Sequence, residues 1–289
     1  MRLILSSILI LTLLLSCNSA TKNITGQDNA IIFQPKDKEI LDQALVILKS
    51  ESYSSIEVLM VKVGTFFLGT PYAEHTLEFE PEQLVVNLRE MDCTTFAENC
   101  LAIARTLKSS NPGFDQFTKE LRNIRYRNGI IDGYPSRLHY FSDWIYDNNK
   151  KKLVSDITKK IVNVPYALNI NFMSTHPGSY KQLTDSVEFI PVIAKQEQQI
   201  SSRKMYYIPE DRIPEIENQL TDGDIVGITT NVKGLDIQHV AILIHRAGRI
   251  HILNASSSAG KVVISEETLE SYLKNSKSAT GIIVARPNF

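Results

Sequence analysis

Apolar residues recur at helical spacing through the first half of this chain and at strand spacing through its last third. "KEILDQALVILKS" (38–50) and "SIEVLMVKVGTFFLG" (55–69) predict two helices, ended by the break at Gly69, Thr70 and Pro71. "CTTFAENCLAIARTLKS" (93–109) predicts a third, with Phe96, Cys100, Leu101, Ile103 and Ala104 on its inner side, and "FDQFTKELRNIRY" (114–126) a fourth. From 125 to 146 the chain is aromatic and rich in turn residues, and 150–220 carries no strong period. After that come short β-branched runs: "GDIVGITT", "IQHVAILIH", "RIHILNAS" and "KVVIS". A short helix, "EETLESYLKN", and a last strand, "TGIIVARP", follow. Helices first and an antiparallel sheet afterwards predict an α+β fold.

The N-terminus departs from this pattern. Arg2 precedes the apolar run "LILSSILILTLLLSC", the charged start and hydrophobic centre of a signal peptide over 1–16. Its end, "LLSC", resembles a bacterial lipobox, which makes Cys17 the lipid-modified residue and gives an exported, periplasmic or cell-envelope lipoprotein tied to the membrane by its anchor. An ordinary signal peptide with an incidental cysteine is the alternative. A polar segment to residue 36 reads as a flexible tether, leaving 37–289 as one domain. Hydrophobic residues make up 43% and charged residues 22%, as in an ordinary globular core, and the net charge of −1 gives no footing for nucleic acid. No C-x-x-C, H-E-x-x-H or Gly-rich phosphate loop is present, so neither metal nor cofactor is expected. The chain is expected to be a monomer.

With Cys17 lipidated, Cys93 and Cys100 remain. Seven residues apart on one helix they stand roughly 10 Å apart along the axis, and a disulfide needs Cα atoms within about 7 Å. Cys93 falls in or beside the first turn, after Asp92 and before Thr94, either of which can cap it, while "TFAE" (95–98) fits a capping box. Free backbone N–H groups there favour a thiolate. Cys100 reads as a small core hydrophobe.

A nucleophilic thiol needs a base, and the base an orienting group. Of six histidines, His239 is the best placed, at the start of an apolar strand in "LDIQHVAILIH". Alternation puts Val240, Ile242 and Ile244 on one face and His239, Ala241 and Leu243 on the other. Asn254, on the next strand, has a side-chain oxygen able to accept the imidazole Nδ1–H. His251 competes for that role, but it lies an odd number of positions away, so only one of the two faces the helix.

The phrases "FLGTPYAEHTLE", "LVVNLREMDCTTFAENCLAIARTL", "RYRNGIIDGYPSRLHYFSDWI" and "FMSTHPGSYKQL", followed by "GDIVGI", "QHVAI" and "NASSSAGKVVI", resemble the NlpC-type cysteine amidases of bacterial cell walls, most closely their N-acetylmuramoyl-L-alanine amidase-like branch. The resemblance spans about residues 40–289. It implies a papain-like core with Cys93 as nucleophile, His239 as base, Asn254 as orienter and Tyr72 beside the cysteine as an oxyanion donor. Members more often read "HAS" where this chain reads "NAS". Between Cys93 and His239 lie 145 residues, more than a core helix-to-sheet connection requires, so 110–210 is expected to be a folded insertion that walls the cleft. Asp92, Thr94, Arg125, Arg137, His139, Tyr140 and Trp144 are the substrate-binding candidates, aromatic planes suiting sugars and arginines suiting stem-peptide carboxylates. For the residues of the 125–146 segment the competing reading is a packed turn with solvated arginines. The implied reaction is hydrolysis of the amide between N-acetylmuramic acid and L-alanine in soluble or anhydro muropeptides. The alternatives are a γ-D-glutamyl-diaminopimelate endopeptidase and a muropeptide-binding lipoprotein without catalysis.

Overall fold

The computed structural model describes residues 31–289; the signal segment, Cys17 and most of the expected tether lie outside them. The end of that tether is already packed. Ile32 bridges Val85, with its N–H donating to the Leu84 carbonyl at 2.9 Å, so the ordered chain starts before residue 37.

All five expected helices form: α1 (Pro35–Ile47), α2 (Ile56–Phe66), α3 (Cys93–Lys108), α4 (Phe114–Arg125) and the short helix Leu269–Asn275. The aromatic segment makes two 3₁₀ turns and then α5 (Phe141–Lys150). The sheet contains β1 (Val154–Asp156), β2 (Val164–Tyr166), β3 (Met205–Pro209), β4 (Ile225–Thr230), β5 (Ile237–Arg246), β6 (Arg249–Ser256), β7 (Lys261–Ile264) and β8 (Ala279–Pro287). Its order is β2-β3-β8-β4-β5-β6-β7, every pairing is antiparallel, and β1 also joins β8. Thus 110–210 does more than wall a cleft, because it supplies three strands to the sheet. β1 and β2, at three residues each, are too short for a period of two to show in the sequence.

Strand alternation sends two apolar sets to opposite sides. Ile225, Val240, Ile242, Leu253 and Ile283 pack against α2 and α3, whose Phe96, Ala97, Cys100 and Leu101 are fully or almost fully buried. Burying a side chain such as Phe96 contributes about 2–3 kcal/mol. Val226, Ile228, Ala241, Leu243 and Ile252 face the other side, under Ile213, Ile216, Leu269 and Leu273. A third cluster, with Tyr134, Tyr140, Met173, Ile193 and Ile200, is the insertion's own core and includes the helix Phe189–Ser201.

Candidate active site

α3 begins at the cysteine because Asp92 caps it. The Asp92 Oδ1 accepts the Thr95 N–H at 2.7 Å, and Thr95 Oγ1 accepts the Asp92 N–H at 2.9 Å. The box therefore pairs Asp92 with Thr95, and the expected "TFAE" box does not form. Glu98 turns inward and meets Arg125 at 2.6 Å instead. The Phe96 N–H goes to the Asp92 carbonyl, which leaves the N–H groups of Cys93 and Thr94, at the open end of the helix, for a ligand.

His239 reaches the same place through an irregularity in the sheet. Ile228 pairs with His239 and Thr229 with Ile237, so Gln238 is an extra residue in β5, a bulge of the kind that re-aims side chains. The β5–β6 ladder runs from Arg246↔Arg249 to Ile242↔Leu253 and stops short of His239 and Asn254, so the strands part there. Across that opening the His239 Nε2–H donates to Asn254 Oδ1 at 3.0 Å. The expectation gave this bond to Nδ1. With Nε2 engaged, Nδ1 is the nitrogen left for the thiol. His251 is excluded as orienter, its Nδ1 lying 3.0 Å from the Ser265 carbonyl on the opposite side of β6.

Cys93 and His239 open onto one cavity of about 240 Å³. The insertion supplies half of its wall, including His139, Tyr140, Phe141, Trp144 and Tyr180, and Asp236 and Gln238 enter at the start of β5. Burial, then the nearby Asp92 carboxylate, pushes the Cys93 thiol up to about 11, against the pull of the Val240 backbone and the Thr94 hydroxyl. Burial also lowers His239, against its bond to Asn254 and the attraction of Asp92. Burial thus disfavours both the thiolate and the imidazolium, against the thiolate expected from the helix N-terminus.

The other candidates divide. Thr94, His139, Tyr140 and Trp144 line the cavity. Asp92 is the helix cap. Arg125, buried at 2% exposure, bonds Glu98 Oε2 and the Val85 carbonyl. Arg137, at 6%, meets Glu78 and Glu82 and lies over the Tyr134 ring. Neither arginine lines the cavity: Arg125 is held by the buried Glu98, and Arg137 by the buried Glu82 and the half-buried Glu78, so both are packed structural residues and neither is solvated. The Tyr72 hydroxyl donates to Glu74 Oε1 at 3.0 Å. Tyr72 stands near the cysteine because its segment bridges Met91, two residues before Cys93. Sequence reasoning missed Gln238, Asp236 and Tyr180. Gln238 directly precedes the histidine, and Tyr180 ends "HPGSY", so their positions carried a signal.

A family model described as AmiA-like, N-acetylmuramoyl-L-alanine amidase-like, matches residues 62–282. The chain belongs to this family. Among solved structures, this AmiA-like chain resembles an N-acetylmuramoyl-L-alanine amidase from Bacteroides uniformis at 38% identity and a TM-score of 0.78, covering 81% of this chain and 99% of that one. A Bacteroides fragilis protein that carries the provisional name xylanase is 42% identical, with a TM-score of 0.75 over 78% of this chain and 99% of that one. A Legionella pneumophila protein at 22% identity and a TM-score of 0.63, covering 86% of this chain and 96% of that one, shares the fold. A comparison with curated proteins gives no match.

Proposed function

We propose that this AmiA-like chain is a cysteine amidase on an NlpC-type, papain-like core, cleaving the N-acetylmuramoyl-L-alanine amide of muropeptides. The single observation that carries the reading is the His239–Asn254 hydrogen bond at 3.0 Å on the rim of the cavity that also holds Cys93. In this mechanism the Cys93 sulfur bonds to the lactyl carbonyl carbon while its proton passes to His239 Nδ1. The Cys93 N–H holds the oxyanion, and the Tyr72 hydroxyl joins it only by exchanging its hydrogen bond to Glu74 for one to that oxygen; losing one such donor raises a barrier by about 3–4 kcal/mol. The C–N bond then breaks as the imidazolium protonates the alanine nitrogen. Water, deprotonated by His239, hydrolyses the thioester and restores the thiol. The apolar segment ahead of Cys17 takes the enzyme to the cell envelope.

The lining favours this cut over two others. Glycoside hydrolysis needs two carboxyl groups flanking the bond. Among the described residues Asp236 is the one carboxyl group on the cavity wall, and its oxygens already accept N–H groups from Ser142 and Ile237 at 2.7 and 2.9 Å. A γ-D-glutamyl bond brings carboxylates with it, yet no Lys or Arg among the described residues lines the cavity, and an unpaired buried charge is strongly unfavourable. Aromatic walls fit the neutral glycan arm. The test is mass analysis of products from a defined anhydro-muropeptide. Free disaccharide and intact stem peptide are expected, with neither from Cys93→Ala. A retained L-Ala-D-Glu stub, or an undiminished rate in Cys93→Ala, refutes the proposal.

A further inference from the structure

The His239–Asn254 hydrogen bond has a cavity at each end. His239 lines the one that holds Cys93, whereas Asn254 lines a second, more open one of about 500 Å³. Water in the second cavity competes for an amide–imidazole bond of this kind. Tyr272 stands beside both partners. It comes from the helix Leu269–Asn275, lines the second cavity with Asn254, and stacks on the His239 ring at 6.3 Å between centroids and 27° between planes. Its backbone N–H is spent on the Thr268 carbonyl within that helix.

We propose that Tyr272 is a positioning residue for the His239–Asn254 pair: its ring, packed on the imidazole, screens their hydrogen bond from the second cavity and fixes the ring plane that aims Nδ1 at Cys93. This rests on the reading of Cys93 and His239 as the reacting pair. The ring does the work, so the hydroxyl is dispensable. The groups acting on His239 are Asn254 on β6 and Asp92 at the start of α3, with Tyr272 stacked near its ring and Cys93 on the same cavity wall; Cys93 and Glu267 act on Tyr272.

Two perturbations of the pair then shift His239 in opposite directions. Burial is the larger influence on the imidazole and keeps it neutral, whereas the Asn254 bond favours its protonated form. Removing the ring in Tyr272→Ala readmits water and raises the titration midpoint. Removing the bond in Asn254→Ala lowers it. The experiment is an NMR titration of the His239 ring, assigned with His239→Ala, in the full chain and in Tyr272→Phe, Tyr272→Ala and Asn254→Ala; Tyr272→Ser serves where Tyr272→Ala does not fold, the position being half-exposed. The expected result is a parent-like midpoint in Tyr272→Phe, a rise of roughly half a unit or more in Tyr272→Ala, and about a fivefold loss of kcat on a muropeptide, the size of one weakened hydrogen bond. An unchanged midpoint in folded Tyr272→Ala, or a Tyr272→Phe variant as impaired as Tyr272→Ala, overturns the proposal. If the midpoints shift as expected but no muropeptide is cleaved by the parent, the substrate reading fails and the positioning role stands.

Discussion

Asn254→Ala probes the proposed Cys93–His239 pair with least disturbance to the fold. In the resting protein the side chain accepts one neutral hydrogen bond, from His239 Nε2–H at 3.0 Å, worth about 1 kcal/mol net. Once His239 takes the thiol proton, the same bond is charge-assisted, worth about 1.5–3 kcal/mol. The difference, about 1–2 kcal/mol, is realised only as charge develops, so it belongs to the barrier. It corresponds to a fall of roughly 5- to 30-fold in kcat, with KM nearly unchanged because Asn254 does not line the first cavity. Asn254 is 4% exposed, so truncation also lowers stability modestly through the orphaned imidazole N–H. Steady-state kinetics on a muropeptide across pH, with thermal melting as control, measures both effects. Asn254→His, whose ring nitrogen can also accept the His239 N–H, is expected to recover most of the rate. An Asn254→Ala enzyme with parental kcat refutes the orienting role, and one as inactive as Cys93→Ala shows that Asn254 does more than orient.

Other substitutions test the scaffold and the cavity. Arg125→Ala strands the buried Glu98 carboxylate 2.6 Å from its lost partner and is expected to destabilise by about 3–5 kcal/mol in urea unfolding. His139 is held down to about 3 by burial and by Arg137. Its folded value lies below its unfolded one, so the stability gained by keeping it neutral is complete above about pH 6.5 and drains toward pH 3. Between pH 7 and 5 the unfolding free energy should fall by about 1–2 kcal/mol, and less in His139→Asn. Trp144 lines the cavity with a buried Nε1–H that has no acceptor among the described residues, so Trp144→Phe should fold normally and raise KM if that donor serves substrate. Gly64 lets α2 lie against β6, and a Cβ there comes within 2.5 Å of Leu253 Cδ2. Gly64→Ala should destabilise by about 1–3 kcal/mol with kcat unchanged.

The parts of the site written in regular periods were legible. α3 with its N-terminal cysteine, the histidine at the start of β5 and the asparagine on β6 all follow from spacing, and the structure joins the last two by a hydrogen bond. What spacing hides is irregularity. The bulge at Gln238 and the parting of β5 from β6 open the sheet beside His239, and neither follows from the alternation of apolar and polar residues. The Nε2 bond to Asn254 forms across that opening, and alternation does not distinguish the two ring nitrogens. Arg125 and Arg137 look solvated in sequence, because their partners Glu98, Glu78 and Glu82 lie far off in the chain and only the tertiary fold brings them close. The thiol's protonation is similarly a matter of burial, which a helix N-terminus alone does not reveal.

β8, the last of these strands in chain order, lies in the middle of the sheet, between β3 and β4 and against β1. A growing polypeptide that has not yet delivered residues 279–287 lacks the seam joining the insertion's strands to the strand carrying His239. Unpairing those residues would therefore separate the insertion's strands from β4 and β5 in one step.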